Sequence, residues 1–322
     1  MFMNELFGTS IYCVVTFFRH SRYDLYDFEP DIHKRRYCME RKITNTRRIV
    51  LITGASSGFG KACALHLSQS GYRVYGTSRS ADFAQQPVAG SPEKTSFKTI
   101  PMDVRDTSSV TKGIFHILKN EGRIDVVVNN AGIATAGAIE EVAMAEVQNQ
   151  FETNFFGAIR VCQAVLPQMR KQKSGCIINI SSIGGVMGIP FQGAYSASKF
   201  ALEGMTEALR IELKPFGIRV VLIEPGDFKT DFTKNRIITK GFHANSVYAD
   251  QLNTALPLME KEERNGADPH QLALLVEKIT NKPNPKVRYT IGKLEQRLST
   301  LYKRWAPSLM YERSFMKYYK LL

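Results

Sequence analysis

An unbroken run of β-branched and aliphatic residues, Ile49-Val50-Leu51-Ile52, flanked by Arg48 and Thr53, passes directly into Gly54-Ala55-Ser56-Ser57-Gly58-Phe59-Gly60. A helical pattern follows over 61–70. No polar residue alternates with the apolar ones, so the strand is expected to be buried on both faces, as in the middle of a parallel sheet. The glycines permit a tight turn and close approach of backbone to a ligand, and the helix N-terminus offers unpaired N–H groups to a pyrophosphate. Strand, glycine turn and helix together make a dinucleotide-type phosphate site. A P-loop is excluded, because five residues separate Gly54 from Gly60-Lys61 and Ala62 stands where Ser or Thr is required.

A second strand is expected over 73–79. Its end is where dinucleotide folds select their ribose partner, an acidic residue suiting the 2′-hydroxyl of NAD and an arginine the 2′-phosphate of NADP. Thr77-Ser78-Arg79 carries no carboxylate, which favours NADP(H), although Arg79 also reads as a solvated loop residue. Residues 80–96 read as a loop. A strand over 97–102 ends at Asp103, a helix spans 110–120, and a buried strand over 124–128 is capped by Asn129-Asn130-Ala131-Gly132. A long helix over 146–171 carries Asn154, an unfavourable residue there unless a local reason holds it.

The strand Cys176-Ile177-Ile178-Asn179-Ile180 ends at Ser181-Ser182, and a helix over 194–213 carries Tyr195 and Lys199. Four residues apart, the two share a face one turn apart. A free tyrosine, with a pKa of about 10, is a poor proton donor or acceptor at neutral pH. A nearby ammonium favours the phenolate and draws that pKa toward the working range. Ser182, arriving from the strand end, could hold a substrate oxygen against the tyrosine. Taken alone, the pair reads better as an ordinary helix pair behind a serine-rich turn; the glycine turn upstream is what favours the chemical reading. A strand over 218–223 ends at Glu224-Pro225-Gly226. The stretch 227–266 is irregular yet studded with apolar residues, the character of a lid over a nonpolar ligand, or else of two short amphipathic helices packed on the core. A helix over 269–280, a strand near 289–292 and a helical, aromatic tail over 294–322 complete the chain.

With 322 residues, 43% of them hydrophobic, the chain suits one large α/β domain with appendages or two small ones, and global disorder is excluded. The formal charge is +13, unevenly spread: residues 282–322 hold ten Lys/Arg against Glu295 and Glu312. Such a tail suits a solvated helix surface, with weak membrane-surface contact left open. No nucleic-acid module accompanies it. Five scattered cysteines without C-x-x-C spacing argue against a disulfide framework or metal site and fit a reducing cytoplasm. Residues 1–46 differ in character. Their apolar run over 11–18 lacks a signal-peptide flank and is too short to span a bilayer. They read as an extension, either disordered or translated from a start upstream of Met39.

These pieces, in order over about 48–292, resemble the short-chain dehydrogenase/reductase family. The resemblance implies an α/β fold, a Rossmann-type doubly wound parallel sheet flanked by helices in a single domain over 47–292, with a substrate lid at 227–266 and an appended tail at 293–322. It implies cofactor contacts from Thr53, Gly54, Ser56, Ser57, Gly58, Phe59, Gly60, Arg79, Asp103, Val104, Asn130, Ala131, Gly132, Tyr195, Lys199, Pro225, Gly226 and Thr230. It implies a catalytic tetrad of Asn154, Ser182, Tyr195 and Lys199, with Asn154 anchoring a water, and a homodimer or homotetramer paired through 146–171 and 194–215. The stretch 182–204 is similar to the hydroxysteroid and retinol dehydrogenase branch, whereas the tail looks like that of bacterial members. The expected activity is NADP(H)-dependent interconversion of a hydrophobic ketone or aldehyde and its alcohol, steroid- or retinoid-like, in a pocket with apolar walls. A silent nucleotide-binding sensor and a reductase of small carbonyl compounds are the alternatives.

Overall fold

A computed structural model describes residues 47–80, 84–86 and 97–322. The expectations for 1–46, including Cys13 and Cys38, lie outside the described residues. The run Ile49–Ile52 forms β1, wholly buried. It is followed by α1 (Gly58–Gln69), β2 (Arg73–Ser78), the short β3 (Ala84–Gln86), β4 (Phe97–Pro101) and α2 (Thr107–Glu121). Then come β5 (Val126–Asn129), β6 (Thr135–Ala136), α3 (Met144–Phe151), α4 (Gly157–Gln172), β7 (Gly175–Ile180) and α5 (Gly193–Leu213). The remainder is β8 (Ile218–Pro225), β9 (Ile237–Ile238), α6 (Ala249–Arg264), α7 (Pro269–Asn281), β10 (Arg288–Ile291), α8 (Leu294–Trp305) and α9 (Ser308–Tyr318).

The main sheet has the order β10-β8-β7-β5-β1-β2-β4-β3. Every pairing in it is parallel except β3 with β4. This is a Rossmann-type doubly wound sheet, and it explains the unbroken apolar strands: alternate side chains serve opposite helical layers. Val50 and Ile52 join Ala64, Leu67, Leu272, Val276 and Ile279 under α1 and α7. Ile49 and Leu51 join Ile114, Ile117, Val161, Val165 and Met169 under α2 and α4. Strand order reverses at β1, so the cleft lies where the C-terminal ends of β1 and β5 diverge.

Four expectations are corrected. The loop over 80–96 contains β3, an edge strand too short and polar to show a period. The first helix begins at Gly58, where φ is +51°. The helix expected over 146–171 begins at Met144 and is interrupted by a π turn, Glu152–Phe156, with Asn154 inside it. The lid over 227–266 is partly ordered: β9 pairs with β6, and α6 is one sixteen-residue helix. Neither an irregular loop nor two short helices describes it. The amphipathic spacing of α6 is obscured in sequence by Pro257 within the helix. Arg47–Leu322 form one compact unit that includes the tail.

Candidate active site

The glycine turn is built by exclusion of side chains. Gly54 has φ +66°, and a Cβ there would lie 2.9 Å from Ala131 Cα. At Gly60 a Cβ would sit 2.5 Å from Asn130 Nδ2 and overlap the Gly54 carbonyl oxygen. Asn130 Nδ2 donates to the Thr53 and Gly54 carbonyls at 2.8 and 3.0 Å. Thr53 Oγ1 accepts from the N–H groups of Asn130 and Ala131, both at 3.0 Å. The β1 and β5 ends are thereby locked together, and the start of α1 is held close against them.

This turn fits a dinucleotide. Ser57 caps α1 without a side-chain hydrogen bond of its own, which leaves its hydroxyl for a phosphate. Ser56 is exposed, and Thr230 stands across the turn, 3.6 Å from where a Gly58 Cβ would be. Phe59 differs from expectation: its ring packs edge-on against Phe228, 4.9 Å between centroids, so only its backbone can face a ligand. Arg79 is exposed at the end of β2. Asp103 is bound by the Arg105 guanidinium through hydrogen bonds of 2.7–3.2 Å, which holds its carboxyl below the usual range. Val104 packs against Gly157 at the start of α4, where a Cβ would come within 2.8 Å of it.

Asn154 has its local reason. In the π turn its Oδ1 accepts from Ile133 N–H at 2.9 Å, and its Nδ2 donates to the Ile133 carbonyl at 3.0 Å and Ser198 Oγ at 3.1 Å. Ser198 Oγ donates in turn to the Tyr195 carbonyl at 2.7 Å. The amide therefore braces the loop after β5 against α5.

Tyr195, Lys199 and Ser182 converge at the end of β7. Ser182 Oγ accepts from Gly184 N–H at 3.0 Å and lies within hydrogen-bonding reach of the Tyr195 phenol. Lys199 Nζ donates to the Ile180 carbonyl at 2.8 Å and sits 5.9 Å from the Tyr195 ring centre. It also comes close to Gly132, 3.8 Å from where a Cβ would be. Burial pushes the phenol up to about 12, opposed by Ser182, and lowers the lysine to about 8, opposed by Glu203. The expected depression of the tyrosine is thus not present in the protein alone, because loss of hydration outweighs the ammonium at that distance. Lys199 is followed one turn later by Glu203, raised to about 7 by burial. Arg288 bridges Glu203 at 3.0 Å, Glu224 at 3.2 Å and Glu207 at 2.7 Å.

The substrate side is not wholly apolar. Phe232 sets its ring edge-on to Tyr195, 5.8 Å between centroids. Just beyond it, Thr233 and Arg236 both bind the Glu263 carboxylate. Arg236, Glu263 and Asp227 all act electrostatically on Tyr195. Asp227 directly follows Pro225-Gly226, and its N–H donates to Gln296 Oε1 at 3.0 Å while Gln296 Nε2 donates to its carboxylate. The tail supplies more of the wall: Tyr319 packs with Ala255 and Met259 of α6, and Ile189, Phe191 and Phe315 border them. Phe191 has φ +57°, a strained conformation for a bulky residue, fixed by a 2.8 Å bond from Gly137 N–H to its carbonyl. Asp227 stood beside a recognised turn and was legible; Arg236, Glu263 and Gln296 carried no local signal. Among the described residues no cluster could hold a metal ion and no helix is long and apolar enough to cross a membrane. Cys63, Cys162 and Cys176 are buried, unpaired and pushed up to between about 11 and 12.

The family model described as short chain dehydrogenase matches residues 48–240. A Bacteroides thetaiotaomicron protein named 3-ketodihydrosphingosine reductase is 47% identical over 274 residues, covering 85% of this chain and 98% of that protein. Human 17-beta-hydroxysteroid dehydrogenase type 1 is 41% identical over 196 residues, covering 58% of each chain. A short-chain dehydrogenase of Streptomyces avermitilis, a solved structure, superposes with a TM-score of 0.71 at 31% identity, covering 87% of this chain and 98% of that one. The glycine turn, the Ser182–Tyr195–Lys199 grouping and the sheet order find their common explanation in these likenesses: the chain belongs to the short-chain dehydrogenase/reductase family of oxidoreductases.

Proposed function

We propose that the protein is an NADPH-dependent ketone reductase whose substrate is a long-chain amino ketone of the 3-ketodihydrosphingosine type. The observation that carries the reading is the convergence of Tyr195, Ser182 and Lys199 beneath a wall that is aromatic and aliphatic yet contains buried ionic groups. The relative of that name shares nearly its whole length with this chain, whereas the steroid enzyme shares little more than half. A steroid or retinoid would set neutral carbon against Asp227 and Arg236, at the cost of leaving buried charge unsolvated.

When bound, the nicotinamide supplies the hydride to the ketone carbon. Ser182 holds the ketone oxygen, and Tyr195 gives its proton to that oxygen as charge develops there. Burial holds the phenol protonated in the protein alone, the form that can donate. Lys199, charged below about 8, stabilises the phenolate left behind. It sits beside Gly132, where a cofactor ribose would pass. Thr53, Gly54, Ser57, Gly58, Gly60, Asn130 and Thr230 would hold the nucleotide, and Arg79 its 2′-phosphate. Exposed Phe156, Phe200 and Ile211 around α4 and α5 support pairing of two copies there. Exposed Leu301, Trp305 and Leu309 among Arg297, Arg304 and Arg313 support contact with an anionic lipid surface.

The test is loss of NADPH absorbance with a long-chain 2-amino-1-hydroxy-3-ketone, with Tyr195→Phe and Arg79→Glu alongside. Turnover by the wild type, lost by about 10²–10⁴ in Tyr195→Phe with nucleotide binding retained, supports the reading. A switch of preference to NADH in Arg79→Glu supports the cofactor assignment. Turnover of a steroid ketone but not of the amino ketone overturns the substrate.

A further inference from the structure

Among the charged groups near Tyr195, one carboxylate lacks a direct cationic partner. Arg236 is paired with Glu263, and Lys293 with Glu262 at 2.8 Å. Asp227 enters no salt bridge among the described residues; its only side-chain partner is the neutral amide of Gln296. Asp227 is therefore a carboxylate without a direct cationic partner, partly buried where the chain leaves Pro225-Gly226. Arg236 carries the complementary defect. Its side chain is 1% exposed, yet Nε and Nη1 have no hydrogen-bond partner. Buried charged donors without partners are rare in folded proteins and call for a partner such as an ordered water, an ion or a ligand group.

The wall that holds these groups is fixed. β9 pairs with β6, so Ile237 and Ile238 are anchored beside Thr135 and Ala136. Arg236 immediately precedes this pairing and acts electrostatically on Tyr195, against which Phe232 packs edge-on. Glu263 is clamped by both Thr233 and Arg236, and Asp227 by both ends of the Gln296 amide. Two independent constraints hold the free carboxylate and the free N–H groups in place before any substrate enters, which is the preorganisation that specific recognition requires.

We infer that Asp227 and Arg236 form a head-group subsite: Asp227 receives an ammonium on the carbon next to the ketone, and the free N–H groups of Arg236 receive a hydroxyl one carbon further. This rests on the amino-ketone reading above and deepens it. With the ketone oxygen at Ser182 and Tyr195, three polar atoms of one substrate end are held at three points, and the alkyl chain is left to the aromatic wall of Phe191, Phe315 and Tyr319. A neutral ketone would leave the Asp227 carboxylate without a direct cationic partner, so the subsite discriminates against neutral substrates as well as for cationic ones.

The groups facing Asp227 are Glu263 and Glu262 from α6, Lys293 before α8, Tyr195 from α5, and Tyr318 and Tyr319 at the end of the tail. Burial and the α6 carboxylates raise Asp227 to about 6, with Gln296 and Lys293 opposing. It is therefore ionised, and able to bind an ammonium, above that pH and neutral below it.

The experiment compares two ketones of equal chain length, a 2-amino-1-hydroxy-3-ketone and its des-amino analogue, with wild type and Asp227→Asn. The expected result is a fall in kcat/KM of about 10- to 100-fold for the amino ketone in the variant. The des-amino ketone should be unchanged or improved. In the wild type, preference for the amino ketone should decline as pH falls through about 6, a measurement needing no variant. Equal losses on both ketones, with weakened nucleotide binding, would assign Asp227 to the cofactor and overturn the inference. An amino ketone turned over with a preference insensitive to both Asp227→Asn and pH would overturn it too, while leaving the substrate reading intact. A wild type inert to every amino ketone removes both.

Discussion

Gln296 lies sixty-nine residues beyond Asp227 in sequence, yet it is the residue that fixes Asp227 in place. Replacing it by alanine removes one bond from a backbone N–H, worth about 1 kcal/mol net, and one to a carboxylate, worth about 1.5–3 kcal/mol. Gln296 is only partly buried, so the lower part of that range applies, about 2–3 kcal/mol. For a domain of this size each kcal/mol lowers Tm by about 2–4 °C, so Gln296→Ala should melt about 4–12 °C below wild type. A second effect is independent of the first. The Gln296 amide opposes the upward shift of Asp227, so its removal lets burial raise that pKa further. The acid limb of kcat/KM for the amino ketone should accordingly move to higher pH. Gln296→Glu keeps an acceptor for Asp227 N–H but sets carboxylate against carboxylate, and should move the limb further still. Thermal unfolding followed by circular dichroism and a pH–rate profile read the two effects separately. A Tm within about 1 °C of wild type together with an unmoved acid limb would refute the reasoning.

Gly60→Ala forces a methyl onto Asn130 Nδ2 and the Gly54 carbonyl. Overpacking and the loss of two Asn130 bonds should cost at least about 3 kcal/mol, and titration calorimetry should find nucleotide binding weakened more than tenfold. Glu203, raised to about 7 from 4.5, keeps its proton longer folded than unfolded, so its stabilising effect is full below 4.5 and lost as pH rises through 7. Glu203→Gln should therefore flatten that part of the stability–pH curve and gain about 2–3 kcal/mol at pH 8 in denaturant melts, since Arg288 retains Glu224 and Glu207. Trp305→Glu combined with Leu309→Glu should abolish sedimentation with anionic vesicles while leaving turnover of a short-chain amino ketone unaltered; persistence of sedimentation would place any lipid contact elsewhere.

Much of the frame was legible because strands buried on both faces admit no polar residue, and glycines at the β1 turn admit no side chain. Tyr195, Lys199 and Ser182 were legible for a related reason: helical spacing and a strand end dictate their meeting. The π turn was not, since an inserted residue leaves no periodic trace, although Asn154 hinted at it. The expectation of an apolar substrate pocket counted Phe228, Phe232 and Tyr248 along the chain and missed what the fold brings in from afar. Phe228 turns into the core under α1, while Arg236, Glu263 and Gln296 arrive from three separate elements. The burial that raises the Tyr195 phenol is a property of the fold that sequence spacing does not reveal.

The central strand β1 is the first of the sheet to leave the ribosome, and Gln296, Phe315 and Tyr319, which brace Asp227 and cover α6, follow the last strand of the sheet. A nascent chain can complete its nucleotide half while the substrate wall is still in the exit tunnel. Loss of both α8 and α9 would thus yield a protein that binds cofactor but lacks the Gln296 brace on Asp227 and leaves the greasy wall of α6 bare. Such truncations should look folded to a nucleotide resin yet be inactive and adhesive.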